Sequence, residues 1–304
     1  MKVTSMRKKQ PRKPQSSSSG PKQGSDHRRK GPAKQRSGAQ NFGKNSQKNS
    51  GSDQNTIHCP RDAVFIWGRH AVGEALKNPK RKFLSLYTSP DMKDWAAEVN
   101  QIHDLRPQVM DKTAITDQLR SASSDDHIVH QGIVAVARPL AQPSLEDWLD
   151  DLNDPRPLVV LLDQITDARN IGAIMRSARA FRVSAIIATD RHCADENGAM
   201  LRTASGAMDH LPLIRVVNLA RAMEKLQDHG FMLAGMTARG ETPLKQLATY
   251  DRLGIIMGAE GKGLRRLTED HADLLVRIPI DDEAESLNVS NAAAVALYAA
   301  QPEV

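Results

Sequence analysis

The chain has 304 residues with 42 basic and 36 acidic side chains, and these charges are unevenly distributed. Residues 1–60 hold 14 of the basic residues and 2 of the acidic ones, so this segment carries +12 and the remainder −6. No run approaches the roughly 18 apolar residues of a membrane helix, and Cys59 and Cys193 are too few for a disulfide scaffold. The first residues lack the apolar stretch of a secretory signal, so the cytoplasm is the expected location.

Residues 1–60 consist mainly of Lys, Arg, Ser, Gln, Gly, Asn and Pro. Such a segment buries too little apolar area to offset its ordering entropy, which predicts a disordered basic tail. A polycationic arm binds RNA phosphates by releasing counterions. The alternatives are a solubility tail without a specific partner and a mitochondrial presequence, although Phe42 is the only large apolar residue between Arg7 and Thr56.

The globular part is predicted to begin with a small α/β domain over residues 61–139. Its pattern comprises an apolar run at 64–67, strands at 83–87 and 133–137, and helices at 71–76, 91–102 and 113–119. Residues 140–156 are acidic and contain prolines, which is typical of a linker between domains, with one helical turn around Trp148.

Residues 157–304 alternate between apolar strands and helices, which predicts a parallel sheet with helices on its faces. The run 158–162 is continuously apolar, as expected for a strand buried on both faces. The other strands are predicted at 185–188, 213–217, 231–236, 254–257 and 274–278, and the helices at 171–181, 219–229 and 288–300.

Ligands of open parallel sheets bind beyond the carboxyl ends of the strands, and three of these turns are unusual. The first turn places Asn170 where a helix cap is expected, with Arg176 about one and two-thirds turns further along. A guanidinium there can bind a phosphate or a ribose oxygen with two hydrogen bonds. A capping Asn170 and a solvated Arg176 are the alternative.

The second turn, MGAEGKGL over residues 257–264, has three glycines that allow a ligand to approach the backbone. Its glycine order differs from the dinucleotide fingerprint, and Lys262 is not followed by Ser or Thr as in a P-loop. Glu260 would repel phosphates, which favours another ligand; a glycine turn with a solvated carboxylate is the alternative.

The third turn leads from strand 274–278 through an acidic loop at 281–285 to Ser286, Asn288 and Ser290. All three residues can cap the last helix, and one cap suffices, so the surplus indicates another role. The consecutive carboxylates could chelate a metal, but such runs are usually solvated loops, and no metal site is predicted.

Together the three turns resemble the motifs of the SpoU/TrmH family of RNA ribose 2′-O-methyltransferases, within the SPOUT superfamily. The resembling segments are NIGAIMR at 170–176, GAEGKGL at 258–264, IPI at 278–280 and SLNVS at 286–290. The small domain, with HQGIVA at 130–135, looks like the substrate-binding domain of members that methylate guanosine in 23S rRNA. The basic tail is a departure from those members.

The resemblance implies an α/β sheet whose C-terminal segment threads a loop to form a deep trefoil knot. It implies S-adenosylmethionine as the cofactor, bound within the knot by backbone groups of Gly258, Ile278 and Leu287. It also implies a homodimer whose active site is completed across the interface.

The implied reaction transfers a methyl group to a ribose 2′-hydroxyl, which requires in-line positioning and help with one proton. By resemblance, Arg176 lies against the hydroxyl and the adjacent phosphate. Because an arginine pKa exceeds 12, Arg176 is expected to orient and stabilise rather than to act as the base. Asn170 would position Arg176 or the ribose, Glu260 would orient this network, and Ser286 and Asn288 would line the methyl-transfer pocket.

The predicted function is therefore S-adenosylmethionine-dependent 2′-O-methylation of a guanosine in 23S rRNA, with rRNA as the partner and no membrane association. Methylation of tRNA by the same chemistry is the alternative, although tRNA members usually lack the small N-terminal domain. A third hypothesis is a non-catalytic RNA-binding or ribosome-assembly protein, which the intact polar motif positions disfavour.

Overall fold

The structure, a computed structural model, describes residues 56–122, 128–281, 283–284 and 286–302. The predicted basic tail lies outside the described residues except for 56–60. Within that last part, Ile57 is buried and its backbone N–H donates to Gln118 Oε1 at 3.3 Å.

The described residues form eleven strands and nine α-helices. The strands are β1 (Val64–Trp67), β2 (Phe83–Thr88), β3 (Gln108–Val109), β4 (Ile133–Ala137), β5 (Leu158–Asp163), β6 (Ala185–Thr189), β7 (Leu213–Val216), β8 (Met232–Met236), β9 (Thr242–Pro243), β10 (Leu253–Gly258) and β11 (Leu274–Arg277). The helices are α1 (Arg69–Lys77), α2 (Lys93–Val99), α3 (Lys112–Ala122), α4 (Leu145–Asp150), α5 (Ala168–Ala180), α6 (Gly198–Ala204), α7 (Leu219–Asp228), α8 (Arg266–His271) and α9 (Val289–Ala299). None of these helices is long and apolar enough to cross a bilayer.

The first four strands form a mixed sheet in the order β1-β4-β2-β3. Strand β4 lies between β1 and β2 and is antiparallel to both, while the short β3 is parallel to β2. Every residue of β4 is buried, which agrees with its central place in the sheet. The apolar run at 64–67 is therefore an edge strand of a small α/β unit.

The remaining seven strands form one parallel sheet in the order β7-β6-β5-β10-β8-β11-β9. Alternate residues of β5 enter two hydrophobic clusters: Val160 and Leu162 belong to one, and Val159 and Leu161 to the other. This two-sided burial is what the continuous apolar run predicted. The predicted α/β fold with a parallel sheet is confirmed.

Helix α5 begins earlier than the sequence pattern predicted. Asp167 is its cap, because the Asp167 carboxylate accepts a hydrogen bond from the Arg169 backbone N–H at 2.8 Å. The prediction that Asn170 caps this helix is wrong, and Asn170 instead lies in the first helical turn. Its side chain is therefore available for contacts outside the helix.

Helices α6 and α8 were not predicted, because GAMLRTA and RLTEDH are too short to show an apolar period. Helix α6 packs closely on α5 at Gly172, where an added Cβ would lie 2.6 Å from the Met200 carbonyl oxygen. Gly172 thus permits the close approach of two helices.

The four-stranded sheet and the parallel sheet are joined by polar contacts of Glu74 on α1. Glu74 Oε2 accepts hydrogen bonds from Arg179 at 3.0 Å and pairs with His210 Nε2 at 2.7 Å, while Lys77 donates to Oε1 at 2.9 Å. Burial alone would raise the pKa of Glu74, but these hydrogen bonds outweigh burial and lower the pKa to about 2. The ion pairs therefore favour the folded state wherever Glu74 is ionised.

Glu74→Gln is expected to lower the free energy of unfolding by about 1–2 kcal/mol at pH 6. Because the folded pKa lies below the ordinary value of 4.5, this contribution is complete above pH 4.5 and is lost as the pH falls towards 2. Urea unfolding at a series of pH values measures it. Lys77→Gln removes only an exposed partner and should cost less than about 0.5 kcal/mol. A Glu74→Gln loss that is the same at pH 6 and pH 2.5 would contradict this assignment.

Candidate active site

Asn170, Glu260 and Asn288 form a hydrogen-bonded cluster beyond the carboxyl ends of β5, β10 and β11. The Asn170 amide nitrogen donates to Glu260 Oε1 at 3.0 Å. The Asn288 amide nitrogen donates to the same oxygen at 2.7 Å and to Asn170 Oδ1 at 3.2 Å. The three turns singled out in the sequence thus meet at one edge of the sheet, where their side chains reach solvent.

Asn288 has two roles, because both ends of its amide are engaged. Its Oδ1 accepts from the Ser290 backbone N–H at 2.9 Å and from the Ser290 hydroxyl at 2.6 Å, which makes Asn288 the cap of α9. Its amide nitrogen faces Glu260. Of the three predicted candidates for the cap, Asn288 is the one the structure selects.

A tight glycine turn presents Glu260. Ala259 and Gly263 pair through their backbones, with the Gly263 N–H donating at 2.8 Å and the Ala259 N–H at 3.1 Å. Gly261 and Gly263 have φ values of 72° and 66°, a region that favours glycine. A Cβ at Gly258 would collide with the backbone of Gly263. The glycines are therefore required by the shape of the turn itself.

An ion pair between the buried carboxylate of Asp163 and the partly exposed guanidinium of Arg265 anchors this glycine turn. Asp163 is the last residue of β5, lies beside Gly258 in the parallel register, and its side chain is fully buried. Arg265 donates to its two oxygens, from Nε at 2.6 Å and from the backbone N–H at 3.0 Å. Sequence reasoning missed this pair, and its only signal was an acidic residue closing an apolar strand.

The other predicted site residues lie outside the hydrogen-bonded cluster. Arg176 is exposed, about 120° around α5 from Asn170, and no residue in the described part of the chain bonds to its side chain. Ser286 and Leu287 are exposed in the segment before α9. Ile278, half-buried, packs against the main hydrophobic cluster.

The acidic loop at 281–285 is described only in part. Asp282 and Glu285 lie outside the described residues. Among the residues that are described, no group of three or more histidine, cysteine or carboxylate side chains could hold a metal ion.

The cluster offers one carboxylate and two neutral amides. Both amide donors converge on Oε1 of Glu260, and within the described ranges Oε2 accepts no hydrogen bond. A site of this composition suits a cationic ligand or a hydroxyl donor, whereas a phosphate would meet the negative charge of Glu260.

The fold and the site define a class: a two-part α/β enzyme with an open polar site on the edge of a parallel sheet. The model of the SpoU rRNA Methylase family matches residues 157–298, and a model described as RNA 2′-O ribose methyltransferase substrate binding matches residues 65–143. The chain belongs to the SpoU family of RNA methyltransferases, which confirms the family predicted from the motifs.

Named relatives agree with this assignment. The chain is 37% identical over 238 residues to the 23S rRNA (guanosine-2′-O-)-methyltransferase RlmB of Salmonella typhimurium, covering 78% of this chain and 97% of that protein. It is 33% identical to an uncharacterized tRNA/rRNA methyltransferase of Synechocystis, covering 77% of this chain but only 61% of that protein. The SpoU methyltransferase AviRb of Streptomyces viridochromogenes, solved with AdoMet, shares the fold with a TM-score of 0.66 at 23% identity, covering 79% of this chain and 89% of AviRb.

Asp163→Asn is expected to destabilise the protein by about 1–3 kcal/mol, because the buried carboxylate becomes a neutral amide that cannot accept from Arg265 at both of its ends. The glycine turn should also loosen, so the backbone amides of Ala259 and Gly263 should exchange with solvent at least tenfold faster. Urea unfolding and hydrogen exchange measure the two effects. Arg266→Gln, which changes an exposed neighbour, is the control. Unchanged exchange at 259–263 in Asp163→Asn would show that the pair does not anchor the turn.

Proposed function

We propose that this protein is an S-adenosylmethionine-dependent RNA ribose 2′-O-methyltransferase that modifies a guanosine of 23S rRNA. The observation that carries the proposal is the cluster of Asn170, Glu260 and Asn288, one residue from each of the three family motifs. The 23S rRNA substrate is supported by RlmB, which this chain matches over 97% of its length. The four-stranded unit, which matches a substrate-binding model, supports an RNA substrate independently.

The residues around the cluster fit S-adenosylmethionine. Its sulfonium carries a positive charge, and Glu260 offers a carboxylate oxygen that the described residues leave unbonded. Gly258 is the last residue of β10, and Ile278 and Leu287 follow β11. Backbone groups of these three residues would hold the adenosine part of the cofactor.

When bound, S-adenosylmethionine supplies an activated methyl group, so the chain has to orient the ribose hydroxyl and assist its proton. Through Oε2, Glu260 accepts a hydrogen bond from the 2′-hydroxyl or from a group hydrogen-bonded to it. The amides of Asn170 and Asn288 fix the direction of that carboxylate. Ser286 lines the transfer pocket together with Asn288.

The proposed enzyme is a homodimer in which Arg176 enters the site of the second copy. Arg176 is exposed, and it emerges from a different side of α5 than Asn170. Helix α9 offers an apolar surface for pairing, since Val295 and Tyr298 lie three residues apart with exposures of 39% and 72%. In the partner site, Arg176 orients the ribose and its adjacent phosphate.

The proposed enzyme also contains the trefoil knot of its family, in which the C-terminal segment threads a loop. This proposal is supported by the contact of Asn288 with Glu260, which brings the segment after β11 against the turn after β10. Helix α9 then packs back on α5, where Gln301 donates to the Phe181 carbonyl at 3.2 Å.

Residues 61–139 form the substrate-binding domain, 140–156 the linker and 157–304 the methyltransferase domain. The basic segment 1–60 holds rRNA phosphates, and the protein works in the cytoplasm.

Arg176→Ala is expected to lower methyl transfer to 23S rRNA at least a hundredfold, because one oriented charge at the reacting group is lost. Labelled S-adenosylmethionine is supplied with 23S rRNA and, separately, with tRNA, each lacking its native 2′-O-methyl groups. The product is mapped by its resistance to alkaline cleavage. Arg221→Ala, which changes an exposed arginine on α7, should remain at the wild-type rate. Label in tRNA alone would contradict the rRNA substrate.

Mixing two inactive variants tests the shared site. In dimers that combine Arg176→Ala with Glu260→Gln, one of the two sites receives both native residues. About a quarter of the wild-type activity should return in an equal mixture, because half of the dimers are mixed and each has one intact site. No recovery after exchange of subunits would show that Arg176 does not act across an interface.

A further inference from the structure

A cleft of about 1030 Å³ lies between the four-stranded unit and helices α5 and α6. One wall contains residues 57–65 and the end of α3, and the facing wall contains 167–169 and 195–199. We propose that this cleft binds unpaired nucleotides of the RNA substrate beside the target ribose. The inference rests on the proposed function and adds where the neighbouring RNA lies.

The two walls are held at a fixed separation by a buried ion cluster. Arg81 is fully buried, forms an ion pair with Glu196 and donates to Asp209 Oδ1 at 2.9 Å. The other oxygen of Glu196 accepts from the Leu140 backbone N–H at 3.0 Å. Since Glu196 and Leu140 both line the cleft, the same contacts that join the two units also set the width of the cleft.

Trp67 and Gly198 pack against each other in the lining of the cleft. Both residues line it, and the Trp67 ring packs so closely on Gly198 that an added Cβ would overlap the ring. Trp67 belongs to β1 and Gly198 is the first residue of α6. The cleft is therefore formed in the absence of RNA, which avoids an ordering cost when RNA binds.

The position of the cleft suits a nucleotide next to the reacting one. Its wall includes Asp167, Ala168 and Arg169, and the next residue is Asn170 of the proposed catalytic cluster. These four residues span about one helical turn, or roughly 5 Å along the axis. An RNA strand whose ribose reaches the cluster thus has its neighbouring nucleotide at the opening of the cleft.

Each carboxylate of the cleft has a hydrogen-bond or ion-pair partner among the described residues. The pairs are Asp62 with Arg138, Asp167 with the Arg169 backbone N–H, Asp195 with Arg215, and Glu196 with Arg81. By contrast, Arg61 is exposed in the cleft wall and forms no ion pair with the residues that the structure describes. Arg61 is therefore available for a phosphate.

The polar and apolar groups of the cleft match an unpaired base. Gln118 and Gln142 each use the side-chain oxygen to accept a backbone N–H, from Ile57 and Leu213 respectively. Their amide nitrogens have no bond to the described residues and can meet the edge of a base. Phe65 is half-buried in the same wall, and aromatic side chains in such walls stack on unpaired bases. The volume is that of a small-ligand pocket, which excludes a duplex.

Ser121→Trp tests the cleft, because Ser121 is exposed on the last turn of α3 and lines the opening. The full chain is titrated against a labelled 12-nucleotide single-stranded RNA at about 0.2 M salt, where non-specific phosphate contacts are weakened. Binding should weaken at least tenfold in Ser121→Trp, while the affinity for S-adenosylmethionine stays within twofold. Thr113→Trp, on the first turn of the same helix and outside the cleft, is the matched control. Ala122→Trp provides a second obstruction if Ser121→Trp does not fold.

The outcomes separate this inference from the proposed function. If both obstructed variants bind RNA as tightly as wild type, the cleft assignment is overturned, whether or not the enzyme methylates rRNA. Equal weakening by Thr113→Trp would also overturn it. If wild type transfers no methyl group but the obstructed variants alone lose RNA binding, the cleft assignment stands and the proposed function fails.

Discussion

The buried carboxylate of Asp163 holds the glycine turn onto the central strand β5, and the geometry of the site depends on this contact. A carboxylate without solvent exposure requires a charged or hydrogen-bonding partner, and Arg265 supplies both of its bonds. Arg265 follows the turn directly, so the ion pair fixes where the chain returns after residues 258–264. Glu260 at the tip of the turn is thereby placed within reach of Asn170 and Asn288.

Asn288 uses one side chain both to cap a helix and to build the site. Its amide oxygen caps α9 by accepting from the Ser290 backbone N–H, and its amide nitrogen donates to Glu260. The start of the last helix and the direction of the carboxylate are therefore coupled. This double use explains why the segment 286–290 contains more potential capping residues than one helix needs.

Much of the fold was predictable because local patterns carried it. The apolar run of β5 and the alternation of strands and helices predicted a parallel sheet, and the rule that ligands bind beyond strand ends singled out the three turns. The neighbours β5 and β10 are far apart in sequence, so their pairing could not be derived from local pattern. The cap of α5 was misassigned because Asp167 and Asn170 are both good capping residues and only the backbone distinguishes them.

The buried ion cluster of Arg81, Glu196 and Asp209 could not be predicted from the sequence. Residues 80–82 are three consecutive basic residues, and such a run normally predicts a solvated loop. Only Arg81 of the three is buried, because Glu196 and Asp209, more than a hundred positions away, surround it. That environment exists only in the folded chain, and the cleft beside it was likewise invisible in the sequence.

The central claim is that Asn170 and Glu260 act as one unit in methyl transfer. A double-mutant cycle of Asn170→Ala and Glu260→Ala, measured on the rate with saturating S-adenosylmethionine and 23S rRNA, tests it most directly. Each single variant should slow transfer at least about twentyfold, and the double variant should be within about threefold of the slower single one, which corresponds to a coupling above about 1 kcal/mol. Two effects that simply multiply, or two single variants that transfer methyl groups at the wild-type rate, would contradict the account.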